Sequence, residues 1–137
     1  MRDLAALMGW ISLYAFGIAI LNFILKYINK KYIALLPKDK SNIVKPYRKL
    51  MKYVVKYHKT VGIVAVGAMI AHLTLMTLYV RTSVSGFVAM GVMTLIAVIG
   101  LYGVLLHKKY NGPWLKAHRL LAVFLVLAIA VHLAFGA

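Results

Sequence analysis

Four histidines stand out in a chain otherwise poor in polar side chains. HKTVGIVAVGAMIAH places His58 and His72 at the two ends of an apolar run, and HRLLAVFLVLAIAVH does the same with His118 and His132, with the same thirteen residues between. An imidazole can ligate a transition metal through a neutral nitrogen, hydrogen-bond across an interface, or relay a proton. Inside an apolar run each of these uses requires a partner, because an ionisable group in hydrocarbon is costly alone. Fourteen helical steps advance about 21 Å and return to within about 40° of the starting face. Both histidines of a run therefore face one direction at two depths.

The elements that must position them follow from composition. Of the 137 residues, 64% belong to the hydrophobic set, more apolar surface than a water-soluble domain ordinarily tolerates. Residues 4–25, 60–80, 84–106 and 117–137 are each long enough to cross a bilayer, which takes roughly 20 residues of helix. The expected fold is an all-α integral membrane four-helix bundle, a single four-span domain over 1–137 with a basic cytoplasmic segment at 26–59. Lys38 to Asn42 reads as a turn, and Pro46 as the start of helix two, whose amphipathic first part carries Leu50, Met51, Val54 and Tyr57 on one face. NGPW, with Pro113, opens helix four. Short connections make neighbours antiparallel, so helices two and four run in the same direction. His58 then levels with His118, and His72 with His132.

Charge sets the orientation. Eleven of the 17 Lys and Arg residues lie between Lys26 and Lys59, four are Lys108, Lys109, Lys116 and Arg119, and only Arg2 and Arg81 lie on the other side. The positive-inside rule places both basic segments in the cytoplasm and both termini outside, in a multi-pass cell-membrane protein. The N-terminal MRDLAALMGWISLYAFGIAILNFILKY, with a minimal basic start and a dense basic flank, reads as a retained span rather than a cleaved signal. Trp10 and Trp114 fall near span ends, as interface aromatics do. No nucleic-acid-reading motif accompanies the net charge of +15, so nucleic acid is not an expected partner; anionic headgroups or an acidic protein are.

Each histidine pair could supply both axial ligands of a haem iron within an apolar bundle. His58 and His118 would hold an inner haem, His72 and His132 an outer one. With no cysteine, covalent c-type attachment and iron–sulfur ligation are excluded. Structural hydrogen bonding and proton traffic remain the other uses; zinc transport is disfavoured because no intramembrane Asp or Glu joins the histidines. His107 could replace an inner ligand or lie solvated at the interface. Gly9, Gly17, Gly62, Gly67, Gly91, Gly100 and Gly103 suit either ordinary helix packing or room for a flat macrocycle, with Gly91 near the outer pair and Gly103 near the inner. Arg48, Lys52, Lys59, Lys116 or Arg119 at the inner level, and Arg2 or Arg81 at the outer, could pair with haem propionates or serve as headgroup anchors.

On these two spaced pairs the chain resembles the membrane di-haem cytochrome b group, which includes cytochrome b561-like proteins and the transmembrane part of ferric reductase-like proteins. The resemblance covers helices two to four. It implies two non-covalent b-type haems ligated by His58, His118, His72 and His132, and electron transfer between a cytoplasmic or quinol donor and an extracytoplasmic acceptor, by an electron-transfer protein or a membrane subunit of an oxidoreductase. Many relatives have five or six spans, and some carry a flavin and nicotinamide domain, so here another protein or a membrane quinol is expected to deliver the electrons. A quinone-reactive anchor subunit and a cofactor-free structural or transport bundle are the alternatives; a monomer or a homodimer would serve either reading.

Overall fold

A bilayer offers no water to satisfy backbone N–H and C=O groups, so a spanning segment must bond its own backbone. The computed structural model describes residues 1–37, 41–106 and 112–136. Among them it forms four helices, α1 (Arg2–Lys31), α2 (Ser41–Tyr79), α3 (Val84–Leu106) and α4 (Pro113–Phe135), with a short 3₁₀ turn at Ile33–Leu35. All four are long and apolar enough to cross a membrane, and the chain is a multi-pass membrane protein. Large apolar side chains such as Ile63, Ile70, Val98 and Leu127 point away from the bundle, as a lipid-facing surface requires. His107, Lys108 and Lys109, and residues 38–40 of the expected turn, lie outside the described residues.

The helix ends follow local chemistry. Asp3 lies in the first turn of α1 and Lys30 and Lys31 in its last, each favourable to the helix dipole. Ser83 caps α3 by accepting the Gly86 amide at 3.2 Å. Gly112 precedes α4, and Pro113 opens it as expected. The start of α2 differs from expectation. The helix already includes Ser41, and Pro46 lies inside it. A proline so near the N-terminus forfeits one intrahelical bond, to the Asn42 carbonyl, at an end where carbonyls can find other donors. The Tyr47 hydroxyl donates to the Leu25 carbonyl at 2.7 Å, holding this early part of α2 against α1.

Packing divides the bundle into two hairpins. Helix α1 packs closely on α2 and α3 on α4, whereas α2 approaches α3 sparingly and α2 and α4 do not pack backbone to backbone. What joins the hairpins is a small core of Ala15, Phe16, Ala65, Ala89, Met93 and Leu125. Ala65 and Leu125, only 2% and 1% exposed, each lie seven residues from either histidine of their own helix. The core therefore closes the bundle midway between the two histidine levels. Ser12 fixes the same level on α1 by donating to the Ala65 carbonyl at 2.9 Å.

Because lipid tails are as apolar as leucine, this core acts through close packing rather than exclusion of water. Leu125→Ala should therefore cost about 2 kcal/mol, near the low end for a buried leucine. Ala65→Leu should destabilise comparably by overpacking the same spot. Unfolding in mixed micelles measures both, and wild-type stability for either variant would remove the mid-level core from the account.

Candidate functional site: two histidine pairs between the hairpins

The 14-residue spacing and the parallel run of α2 and α4 bring the four imidazoles together as two pairs. His58 faces His118 with ring centroids 6.3 Å apart and planes at 79°, and His72 faces His132 at 6.4 Å and 74°. All four rings are partly buried. The pairing at both levels agrees with the levels expected from sequence, and the pairs bridge the gap that the backbones of α2 and α4 leave open.

Each ring is aimed by its own hairpin partner. On α1, the Ala19 carbonyl lies 3.1 Å from His58 Nδ1 and the Ala5 carbonyl 2.7 Å from His72 Nδ1. Ala5 and Ala19 are themselves 14 residues apart, so α1 offers acceptors at the histidines' own spacing. On α3, the Ile96 carbonyl takes His118 Nδ1 at 3.1 Å. Fourteen residues before Ile96 is Thr82, which precedes the start of α3, and no helical carbonyl is placed there. Two hydroxyls take over: Ser83 Oγ at 3.3 Å and Ser85 Oγ at 3.2 Å from His132 Nδ1.

Glycines let His72 and His118 reach these carbonyls, whereas beside Ala19 no glycine lies against His58. A helical carbonyl lies beneath the side chain of the residue four positions on. The residue four beyond Ala5 is Gly9, and four beyond Ile96 is Gly100. A Cβ at Gly9 would sit 3.0 Å from His72 Nδ1, one at Gly100 3.1 Å from His118 Cε1, and one at Gly86 3.1 Å from His132 Cε1. Neither glycine singled out by level meets a histidine: a Cβ at Gly91 has nothing within 4 Å, and one at Gly103 would run into the Trp114 ring. Gly86, Ser83 and Ser85 carry no signal by themselves in sequence; they matter because of where α3 begins.

The donor set suits a shared metal. A carbonyl only accepts, so each carbonyl-bonded Nδ1 carries the proton, assigned here from its partner. That leaves the lone pair on Nε2, the arrangement usual in metal-ligating histidines. Imidazole nitrogens about 2.0 Å from a common metal lying between them, with centroids about 1.1 Å behind, give centroids roughly 6.2 Å apart. The observed spacings agree with that value. Among the described residues no group of three or more His, Cys, Asp or Glu could hold a metal ion. Two nitrogens suffice where a macrocycle fills the remaining positions.

The surroundings differ between levels. Beside His72 and His132 is a cavity of about 860 Å³, within the usual cofactor range, lined mostly by apolar side chains and bordered by Arg2 and Arg81. At the other level Arg119 lies over the Phe23 ring, 5.4 Å from its centroid. Among the described residues, Asn22 Oδ1 and Asn29 Oδ1 on α1 and Trp114 Nε1 on α4 are buried without hydrogen-bond partners. Compared with known proteins, the chain matches no protein-family model, no curated protein and no solved structure.

Nitrogen NMR of histidine-labelled protein prepared without cofactor should show a proton on Nδ1 of His58, His72 and His118. Gly100→Val should weaken the His118 bond to Ile96 by about 1 kcal/mol and perturb that one resonance. A predominant Nε2–H tautomer at these three rings would contradict the arrangement.

Proposed function

We propose that the protein is a transmembrane electron-transfer cytochrome of the di-haem b type. The observation that carries this reading is the repeated pair: two imidazoles facing across the bundle at the spacing of a shared metal, each held through Nδ1. His58 and His118 would hold one haem, and His72 and His132 the other. Bound haem would supply an iron that alternates between ferric and ferrous forms, and so carries single electrons.

The chain's own residues have definable parts. The four histidines would hold the two haems, one pair at each level, each imidazole being fixed in direction by its Nδ1 partner. Arg2 and Arg81, at the rim of the larger cavity, are suited to neutralise carboxylates entering it. Ala65, Leu125 and Phe16 pack between the levels and keep the two histidine pairs apart. The positive-inside rule puts the His58–His118 level toward the cytoplasm and both termini outside. Electrons would then come from a cytoplasmic or quinol donor and leave to an extracytoplasmic acceptor, in a monomer or a homodimer.

A specific observation favours the alternative of a cofactor-free structural bundle. Each histidine already has a protein partner for Nδ1, and no three-residue ligand group exists among the described residues. In that reading the imidazoles only tie the helices of each hairpin together. The same four bonds serve an anchor subunit that reacts with quinone beside one haem.

Haem stoichiometry separates the readings. A pyridine haemochrome assay on protein purified after expression with ample haem should give two b-type haems per chain, and His132→Ala should give one. Colourless wild-type protein would leave the structural bundle standing. Haem reduction by a quinol analogue alone would favour the anchor subunit.

A further inference from the structure

The two hairpins differ in length, and most of the difference falls at the basic end. Ala65 marks the mid-level of α2, and Ser41 lies 24 residues before it, about 36 Å along the helix. A bilayer extends only about 20–22 Å from its midplane, headgroups included. A tilt of about 20° shortens the helix projection only to about 34 Å. Helix α1 accompanies it: Lys31 is 19 residues beyond Ser12, about 28 Å. Helix α4, by contrast, begins at Pro113, about 18 Å before Leu125. The α1–α2 hairpin thus rises past the headgroup layer as a ledge beside the His58–His118 level.

Headgroups explain only part of the ledge's charge. Lys52, Lys56 and Lys59 lie at or below the headgroup layer. Lys30, Lys31, Lys45, Arg48 and Lys49 are on backbone about 24–30 Å from the mid-level. These backbones stand about 2–10 Å beyond the headgroup layer, so the attraction of anionic lipid, which decays over a Debye length of about 8 Å at physiological ionic strength, is weakened across the tip without vanishing. These five cations share the tip with exposed Tyr32, Leu35 and Ile43. A recess of about 250 Å³ lies between Leu36 and Pro37 on one side and Val44, Lys45 and Arg48 on the other. Exposed apolar and aromatic residues among cations mark a protein-binding patch rather than a merely solvated face.

We infer that this ledge docks an acidic soluble protein, one that presents carboxylates around a small apolar patch above the His58–His118 level. That this partner delivers electrons rests on the cytochrome reading; the docking surface does not. Complementary charge would speed encounter and fix orientation.

The test uses the full chain in nanodiscs of neutral phosphatidylcholine and, as probe, a plant-type ferredoxin, a small acidic one-electron carrier. Basic cytochrome c serves as control. Binding is followed by light scattering, which needs no haem. Ferredoxin should bind at about 0.01 M ionic strength and lose at least about tenfold affinity by about 0.15 M. The combined Lys31→Glu, Lys45→Glu and Lys49→Glu variant should bind at least about tenfold more weakly, with unchanged haem content. A fluorophore on Ile43→Cys should be quenched by aqueous iodide, as a tip outside the membrane requires. Ferredoxin binding no stronger than that of cytochrome c would overturn the inference, as would lipid-shielded residue 43 in discs containing phosphatidylglycerol. Binding by a haem-free protein would keep the ledge and sink the cytochrome reading.

Discussion

An imidazole inside a bilayer must find an acceptor, and here it finds one on the neighbouring helix of its own hairpin. A helical carbonyl retains a second lone pair after its intrahelical bond, so it can take an Nδ1–H without breaking the helix. Ala5, Ala19 and Ile96 fill this role, and Ser83 with Ser85 fills it where α3 has not yet begun. Much else follows from that requirement. The hairpins pack tightly so that the bonds can form, and glycine stands where a side chain would block the ring. With Nδ1 committed to its own hairpin, the remainder of each imidazole is presented across the bundle.

This arrangement separates two tasks that membrane bundles often combine. Within a hairpin, backbones meet closely and fix the direction of each ring. Between hairpins, α2 and α4 meet chiefly through side chains, and the histidine pairs occupy the gap. The core around Ala65 and Leu125 then divides the gap into two levels. A bundle packed uniformly from end to end would leave no cavity beside His72 and His132. Two discrete sites on one side-chain seam are the physical basis for reading the molecule as a two-centre conduit.

The pairing was legible because the 14-residue spacing survives any modest error in helix boundaries: shifting a helix end by a few residues leaves His58 level with His118. Span number was legible for a similar reason, since long apolar runs tolerate imprecise ends. The second shell was not. Counting along single helices points to Gly91 and Gly103, whereas the glycines against histidine rings are Gly9, Gly86, Gly100 and Gly136. The relevant rule joins a carbonyl on one helix to a ring on another, and that register is set by packing. Pro46 misled for a different reason: proline is favoured at the first helical position but tolerated a turn later, so its presence bounded the start of α2 only loosely.

The exception among the four anchors makes the two levels chemically unequal. Both rings of the His58–His118 pair give their Nδ1 proton to helix carbonyls, whose positions are fixed by the backbone. In the other pair only His72 does so, and His132 relies on two hydroxyls that can rotate. A firm acceptor at Nδ1 raises the basicity of Nε2 and strengthens its donation to a bound metal; a hydroxyl shared between two rotors does so less. Bonding of this kind is one of the means by which a protein sets a haem's reduction potential. With haem bound, the cations gathered near the His58–His118 level would act in the opposite sense, because positive charge favours a reduced metal. The balance between two such centres would then be set jointly by where α3 begins and where the basic residues fall. Neither influence depends on the histidine spacing that makes the centres alike.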